Sequence, residues 1–171
     1  DDFERRLFLA RRSIELLSVE RDFTPFYVAS LSSQTIVYKA MVLSKRLADF
    51  YPDLRDPDYH CSACVFHQRF STNTSPQWEL CQPFRMSAHN GEINTIRGNR
   101  NWMTSREASF SHPLWAKHKN LIKRLFNFND SDSASLDNVI ELLTLSGRSV
   151  EHSFSMLIPP AWENDPVMPP Q

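Results

Sequence analysis

Glycine occurs only three times in 171 residues, at Gly91, Gly98 and Gly147. That scarcity removes whole classes of architecture. A dinucleotide-binding fingerprint or a phosphate-binding P-loop needs several glycines in one turn, so neither can be assembled here. Each remaining glycine is expected where the backbone requires it. The length suffices for one domain with a core. A formal net charge of -1 offers no basic surface of the kind that dominates nucleic-acid binding, so no nucleic-acid partner is expected. No apolar run reaches the roughly 18 residues of a membrane span, so no membrane partner is expected either. No signal peptide is visible, and a first residue of Asp1 rather than Met leads us to expect an N-terminus further upstream.

The cysteines are Cys61, Cys64 and Cys81. The C-x-x-C pair admits a zinc site completed by Cys81 and His67 or His89. The better reading is small buried thiols around a strand in a reducing compartment.

Periodicity predicts an amphipathic helix over 3–17. Its buried stripe is Phe3, Leu7, Ala10, Ile14 and Leu17, and Arg5, Arg6, Arg11 and Arg12 form either a solvated face or an anion-binding one. Residues 26–31 and 35–41, rich in Tyr, Val and Ile, predict a hairpin around Ser32, Ser33 and Gln34. A short helix over 43–50 and a turn-rich link at Pro52 and Pro57 follow. Strands are expected at 64–70 and 84–89. A polar loop at 97–101 should lead into a helix from Trp102, and Pro113 should open another that reaches Leu125. Asp132 or Ser133 caps a helix that buries Leu136, Val139, Ile140 and Leu143 and ends at Gly147. Ser149 starts a last helix with Val150, Phe154 and Leu157 buried. The five prolines of 159–171 read as an extended exit from the domain.

Chemistry concentrates between His67 and Thr95 and again at 131–135. Arg69 shares a strand face with His67 beside Ser71, Thr72 and Thr74. A planar guanidinium there suits a bidentate carboxylate clamp, though from the strand alone a structural salt bridge or a surface arginine is the stronger reading. Asn90 and Gly91 are a strong hairpin-turn signal. The same pair can also form an oxyanion hole, with the Asn amide and the Gly N–H donating to one developing charge. Asp132 serves as an N-cap, as a carboxylate for an ammonium group, or as both, since a helix N-terminus keeps it ionised. Together these groups outline a pocket for a zwitterionic amino acid.

The segments HQRFSTNT (67–74), AHNGEINTIRGNRNWM (88–103), SDSASLDN (131–138) and PPAWENDP (159–166) resemble one family closely. So do FERRLFLARR (3–12) and FYVASLSSQTIVYKAM (26–41). They resemble the glutamine amidotransferase domain of glutamate synthase large chains, a class II amidotransferase with an N-terminal nucleophile fold. The resemblance implies an α+β architecture: part of a four-layer αββα arrangement, with antiparallel sheets flanked by helices. It implies that residues 1–171 are a partial domain, lacking the N-terminal nucleophile segment and the downstream synthase domains. In the family an N-terminal cysteine attacks the amide of L-glutamine, ammonia leaves, and a glutamyl thioester is hydrolysed. The ammonia reaches a flavin domain and converts 2-oxoglutarate to glutamate.

By motif, Asn90 and Gly91 would be catalytic as the oxyanion hole. Arg69 would bind the substrate carboxylate and Asp132 the ammonium. No cofactor is implied within this segment; FMN and an iron–sulfur cluster are implied for the full-length parent. Implied partners are L-glutamine, the downstream synthase domain, and a small reductase subunit or ferredoxin, in a bacterial cytoplasm or a plastid. None of the three cysteines has a free α-amino group, so the segment alone is expected to be inactive as a glutaminase. The alternatives are another class II amidotransferase and a non-catalytic amino-acid-binding module.

Overall fold

Every regular element among the described residues of the computed structural model is helical; these are residues 2–23, 25–68, 76–123, 125, 130–158 and 167. The principal helices are α1 (Asp2–Glu20), α2 (Leu47–Phe50), α3 (Ile96–Ser109), α4 (Lys119–Ile122), α5 (Asp132–Leu145) and α6 (Val150–Leu157). Short 3₁₀ turns lie at Ser44–Arg46, Pro52–Arg55, Trp78–Leu80 and Pro113–Trp115.

The expected sheets are absent among the described residues, which corrects the α+β, four-layer expectation. The reason is visible in the backbone donors. In the expected hairpin, Val37 N–H donates to Ser30 Oγ, Gln34 and Thr35 N–H to Ser32 Oγ, and Ser33 N–H to Glu4 of α1. At 84–89, Phe84 N–H closes a tight turn onto Ser87 O, and Arg85 and Met86 N–H go to the Asp137 carboxylate. Donors that would zip a ladder are satisfied by side chains and a turn instead. Of the strand expected at 64–70, residues 64–68 are irregular and the others lie outside the described residues.

Helix α1 forms where periodicity predicts it, but with its charged face turned inward. Arg11 is 2% exposed and Arg12 9%, while Phe3, Ile14 and Leu17 are exposed. Buried guanidinium is tolerated only when paired, and partners are in place. Arg11 Nη1 donates to Glu15 Oε1 at 3.0 Å and Nη2 to Glu141 Oε2 at 2.5 Å. Arg12 donates to Glu15 Oε2 at 3.1 Å and to Leu121 O at 3.0 Å. Arg85 completes the set, reaching Glu15 Oε1 at 3.0 Å and Val28 O at 2.6 Å. Burial works against the charge on Arg11, yet Glu141 and Glu15 hold its pKa above the usual guanidinium value. Burial pushes the Glu141 carboxyl up.

The apolar core sits beside this ionic cluster. Phe8 packs against Trp115 with rings 5.6 Å apart, joined by Ile122, Leu125 and Leu142. Trp115 Nε1 donates to Ser146 Oγ at 2.8 Å, which satisfies its one polar atom.

Helix α5 is the spine, packed by α3 and α6. Its N-cap is Ser131, one residue earlier than expected; the hydroxyl accepts Ala134 N–H at 3.1 Å. Gly147, at φ +99°, ends it as predicted. Gly147 N–H donates to Thr144 O at 3.0 Å and Arg148 N–H to Leu143 O at 3.2 Å, a Schellman closure. Ser149 caps α6 by accepting His152 N–H. Val150 remains 39% exposed, against the expectation of burial.

Helix α3 begins at Ile96, so the polar stretch read as a loop is helical. Its polar side chains are anchors: Arg100 Nη2 donates to Asp130 O at 2.6 Å and Ser135 Oγ at 2.8 Å, and Asn99 Nδ2 to Leu157 O at 3.2 Å. Gly98 lies inside this helix with open space around its Cβ position. The expectation that each glycine is required therefore fails there. The Pro113 region yields a 3₁₀ turn and the short α4 rather than one long helix. Cys61 and Cys64 are exposed on irregular chain and Cys81 is buried, so the pair are not core thiols around a strand.

Candidate functional site

The first turn of α5 meets the loop 82–93. Asp132 follows the Ser131 cap, so its carboxylate lies among the free N–H groups of the helix start. Oδ1 accepts Ser133 N–H at 2.5 Å and Ser133 Oγ at 2.9 Å. Oδ2 accepts the N–H of Ile93 from the loop, also at 2.5 Å. Burial works against ionisation of Asp132. The Ile93 N–H and the Ser133 donors win, aided by His89, and hold its pKa below the usual carboxylate range. His89 Nδ1 lies 3.1 Å from Ser133 Oγ.

Two further side chains seat the loop. Asp137, one turn along α5 and 1% exposed, accepts Arg85 N–H at 3.1 Å on Oδ2. Met86 N–H and Ser87 Oγ donate to its Oδ1, each at 2.9 Å. Burial pushes the Asp137 carboxyl up, opposed by these donors and by Arg85. Gln82 reaches across to His89: Oε1 accepts His89 N–H at 2.6 Å and Nε2 donates to His89 O at 2.5 Å.

Asn90 and Gly91 emerge exposed from this frame. Gly91 has φ +148°, a conformation that L side chains rarely adopt. An added Cβ would only touch the His89 ring at 3.6 Å, so backbone geometry, not crowding, calls for glycine. Neither the Asn90 amide nor the Gly91 N–H is engaged by another group among the described residues.

The structure thus brings Asn90, Gly91 and Asp132 to one locality. Arg69, with Ser71, Thr72 and Thr74, lies outside the described residues. Asp132 is not the N-cap; that task falls to Ser131. Sequence reading missed Gln82, Asp137 and Arg100. Asp137 had a signal, since it sits among Leu136, Val139 and Ile140, the buried positions of an apolar helix. Gln82 had none, because it bonds only main-chain groups, which residue type does not reveal.

A shallow, mainly apolar cleft lined by Met103, Phe110, Ile122 and Leu142, with Lys119 and Lys123 at its edge, is separate from this locality. Leu142 lies about 15 Å along α5 from Asp132 at 1.5 Å per residue. Among the described residues no group of three or more His, Cys, Asp or Glu is placed to hold a metal, and no helix is long and apolar enough to cross a membrane.

The sequence model of the glutamine amidotransferases of class II matches residues 1–171. The chain is 50% identical over 169 residues to ferredoxin-dependent glutamate synthase 2, chloroplastic, of Arabidopsis thaliana, covering 98% of this chain and 10% of that protein. It is 43% identical over 169 residues to the NADPH glutamate synthase large chain of Azospirillum brasilense, covering 99% of this chain and 11% of that one. Against the ferredoxin-dependent glutamate synthase of Cyanidium caldarium it is 47% identical over 165 residues, covering 95% and 11% respectively. The chain spans about a tenth of the length of the curated relatives it matches.

Proposed function

The chain belongs to the class II glutamine amidotransferases, and on that premise we propose that it is part of the ammonia-producing domain of a glutamate synthase. L-Glutamine is the substrate. Arg69 grips its α-carboxylate, Asp132 takes its α-ammonium, and Asn90 and Gly91 donate to the oxyanion that forms when the side-chain amide is attacked.

One observation carries this reading: the Asp132 carboxylate binds Ile93 N–H, two residues beyond the exposed Asn90-Gly91 pair. Three donors occupy Asp132. A carboxylate has about four acceptor sites, so a position on Oδ2 remains for an ammonium N–H. The depressed pKa keeps that acceptor charged at neutral pH.

The nucleophile is assigned to the parent chain rather than to residues 1–171. Cys61, Cys64 and Cys81 are internal and have no free α-amino group. Cys81 is also buried, with its thiol pKa pushed up by burial and its reactivity lowered. On this reading residues 1–171 alone do not hydrolyse glutamine. The parent's synthase domain receives the ammonia and aminates 2-oxoglutarate. It holds FMN and an iron–sulfur cluster, with electrons from ferredoxin or a small reductase subunit. The relatives' names support a plastid or bacterial setting.

The test uses the full-length parent. Asn90→Ala should lower glutamine turnover about 10²–10³-fold with KM little changed. Arg69→Ala should chiefly weaken glutamine binding, by roughly 2–5 kcal/mol for loss of a paired charge. Small, equal effects of both variants would refute the assignment.

A further inference from the structure

Gln82 lies seven residues before His89 and bonds both of its main-chain groups, immediately before the candidate oxyanion pair. We propose that Gln82 is a positioning residue for the oxyanion hole, its carboxamide gripping both main-chain groups of His89 and so fixing the peptide that leads into Asn90. The inference rests on the role given above to Asn90 and Gly91.

The geometry is a closed two-bond ring, with His89 N–H on Oε1 at 2.6 Å and Nε2 on His89 O at 2.5 Å. A neighbouring strand would supply such a pair in a sheet, and here a single side chain supplies it. His89 C=O and Asn90 N–H belong to one planar peptide. Holding the carbonyl therefore sets the direction of the Asn90 N–H and the origin of the Asn90 side chain. An unrestrained Asn-Gly turn samples several conformations. An oxyanion hole needs its donors held within about 0.5 Å.

Gln82 is itself anchored. Cys81 before it is buried, with its carbonyl held by Lys39 Nζ at 2.6 Å, and Phe84 after it is 4% exposed. Asp137 seats 85–87 independently. Gln82 therefore joins a fixed base to the one stretch of the loop that reaches solvent.

Gln82→Glu gives a diagnostic. Ionised, the new side chain sets a carboxylate oxygen against His89 O, where an N–H donor stood. Protonated, it again offers one donor and one acceptor. In the full-length parent, kcat for glutamine hydrolysis by Gln82→Glu should fall about 10–100-fold at pH about 8, as for a misplaced catalytic group. KM should stay within about twofold, because Arg69 and Asp132 hold the substrate's charged ends. The ratio to wild type should recover as pH falls toward about 5 and the carboxyl protonates. The charged and titratable groups that face this loop, His89, Asp132, Asp137, Arg85 and Lys39, are common to both proteins, so the ratio isolates the introduced carboxyl. Gln82→Met keeps the volume without hydrogen bonds; it should lose kcat at every pH and show no recovery.

Wild-type kcat in both variants overturns the inference, as does a loss in KM alone or a Gln82→Glu deficit that ignores pH. A wild-type parent that does not hydrolyse glutamine overturns the functional reading itself, and this inference with it.

Discussion

Asp137→Asn is the most informative single substitution in the scaffold of the loop. The carboxylate accepts three donors, Arg85 N–H, Met86 N–H and Ser87 Oγ–H. Asparagine keeps the shape. If its oxygen stays on Met86 and Ser87, its NH₂ faces Arg85 N–H, donor against donor. One buried N–H is then unsatisfied, at about 1–3 kcal/mol. The two surviving bonds lose their charge assistance, roughly 1 kcal/mol each. Relief of the buried charge, which already pushes this carboxyl up, returns part of that. The net is about 2–4 kcal/mol of local stability. Amide hydrogen exchange of the full-length parent reads this directly. At about 1.4 kcal/mol per tenfold, exchange at Arg85 and Met86 should quicken by about 30- to 700-fold, with the Phe8 end of α1 less affected. Unchanged protection at both amides would refute the accounting and with it the view that Asp137 seats the loop.

Glu15→Gln removes the carboxylate shared by Arg11, Arg12 and Arg85; leaving buried guanidinium underpaired should cost about 3–5 kcal/mol, seen as lost exchange protection along α1. Burial pulls the Lys39 pKa from 10.5 down to about 8. A depressed folded pKa contributes stability above the unfolded value that is lost as pH falls through the folded one. Stability around 78–84 should therefore rise from pH about 8 to about 10.5, by at most roughly 3 kcal/mol. Tyr27, pushed up to about 12 by burial, acts in the opposite direction from pH 10 upward, so the measurement is wild type minus Lys39→Met, and a flat difference would count against it. Gly98→Ala should stabilise by about 0.4–1 kcal/mol, since the site is helical with open space; a lower unfolding temperature would contradict this.

The helix ends were the most legible part of the sequence. Ser149 and Gly147 follow from local capping chemistry, which involves neighbours along the chain, while the α5 cap falls at Ser131 rather than at Asp132 or Ser133. The inward face of α1 was not legible. Periodicity treats arginine as outward by default, and what turns Arg11 inward is Glu141, 130 residues away. The start of α3 was misread for the same reason: Arg97 to Asn101 look loop-like until Arg100 is seen binding the chain before α5. The expected hairpin has strand-favouring residue types, but its donors and those at 85–86 are claimed by Glu4, Ser30, Ser32 and Asp137. At the site, Asn90, Gly91 and Asp132 could be named from residue chemistry and resemblance. The groups that hold them could not, because Gln82 and Asp137 act on backbone and leave no motif.

The ionic cluster has a consequence for anyone recombining relatives. Glu15 and Arg11 come from the first helix, Arg85 from the loop, and Asp137 and Glu141 from α5, so three acids and three bases, with Arg12, are drawn from segments far apart in the gene. A crossover between residues 15 and 85, or between 85 and 137, would pair halves from different lineages across a largely buried ionic cluster. Any mismatch there would leave a like-charged or orphaned group. Chimeras should inherit these six positions from a single parent, whatever else is exchanged.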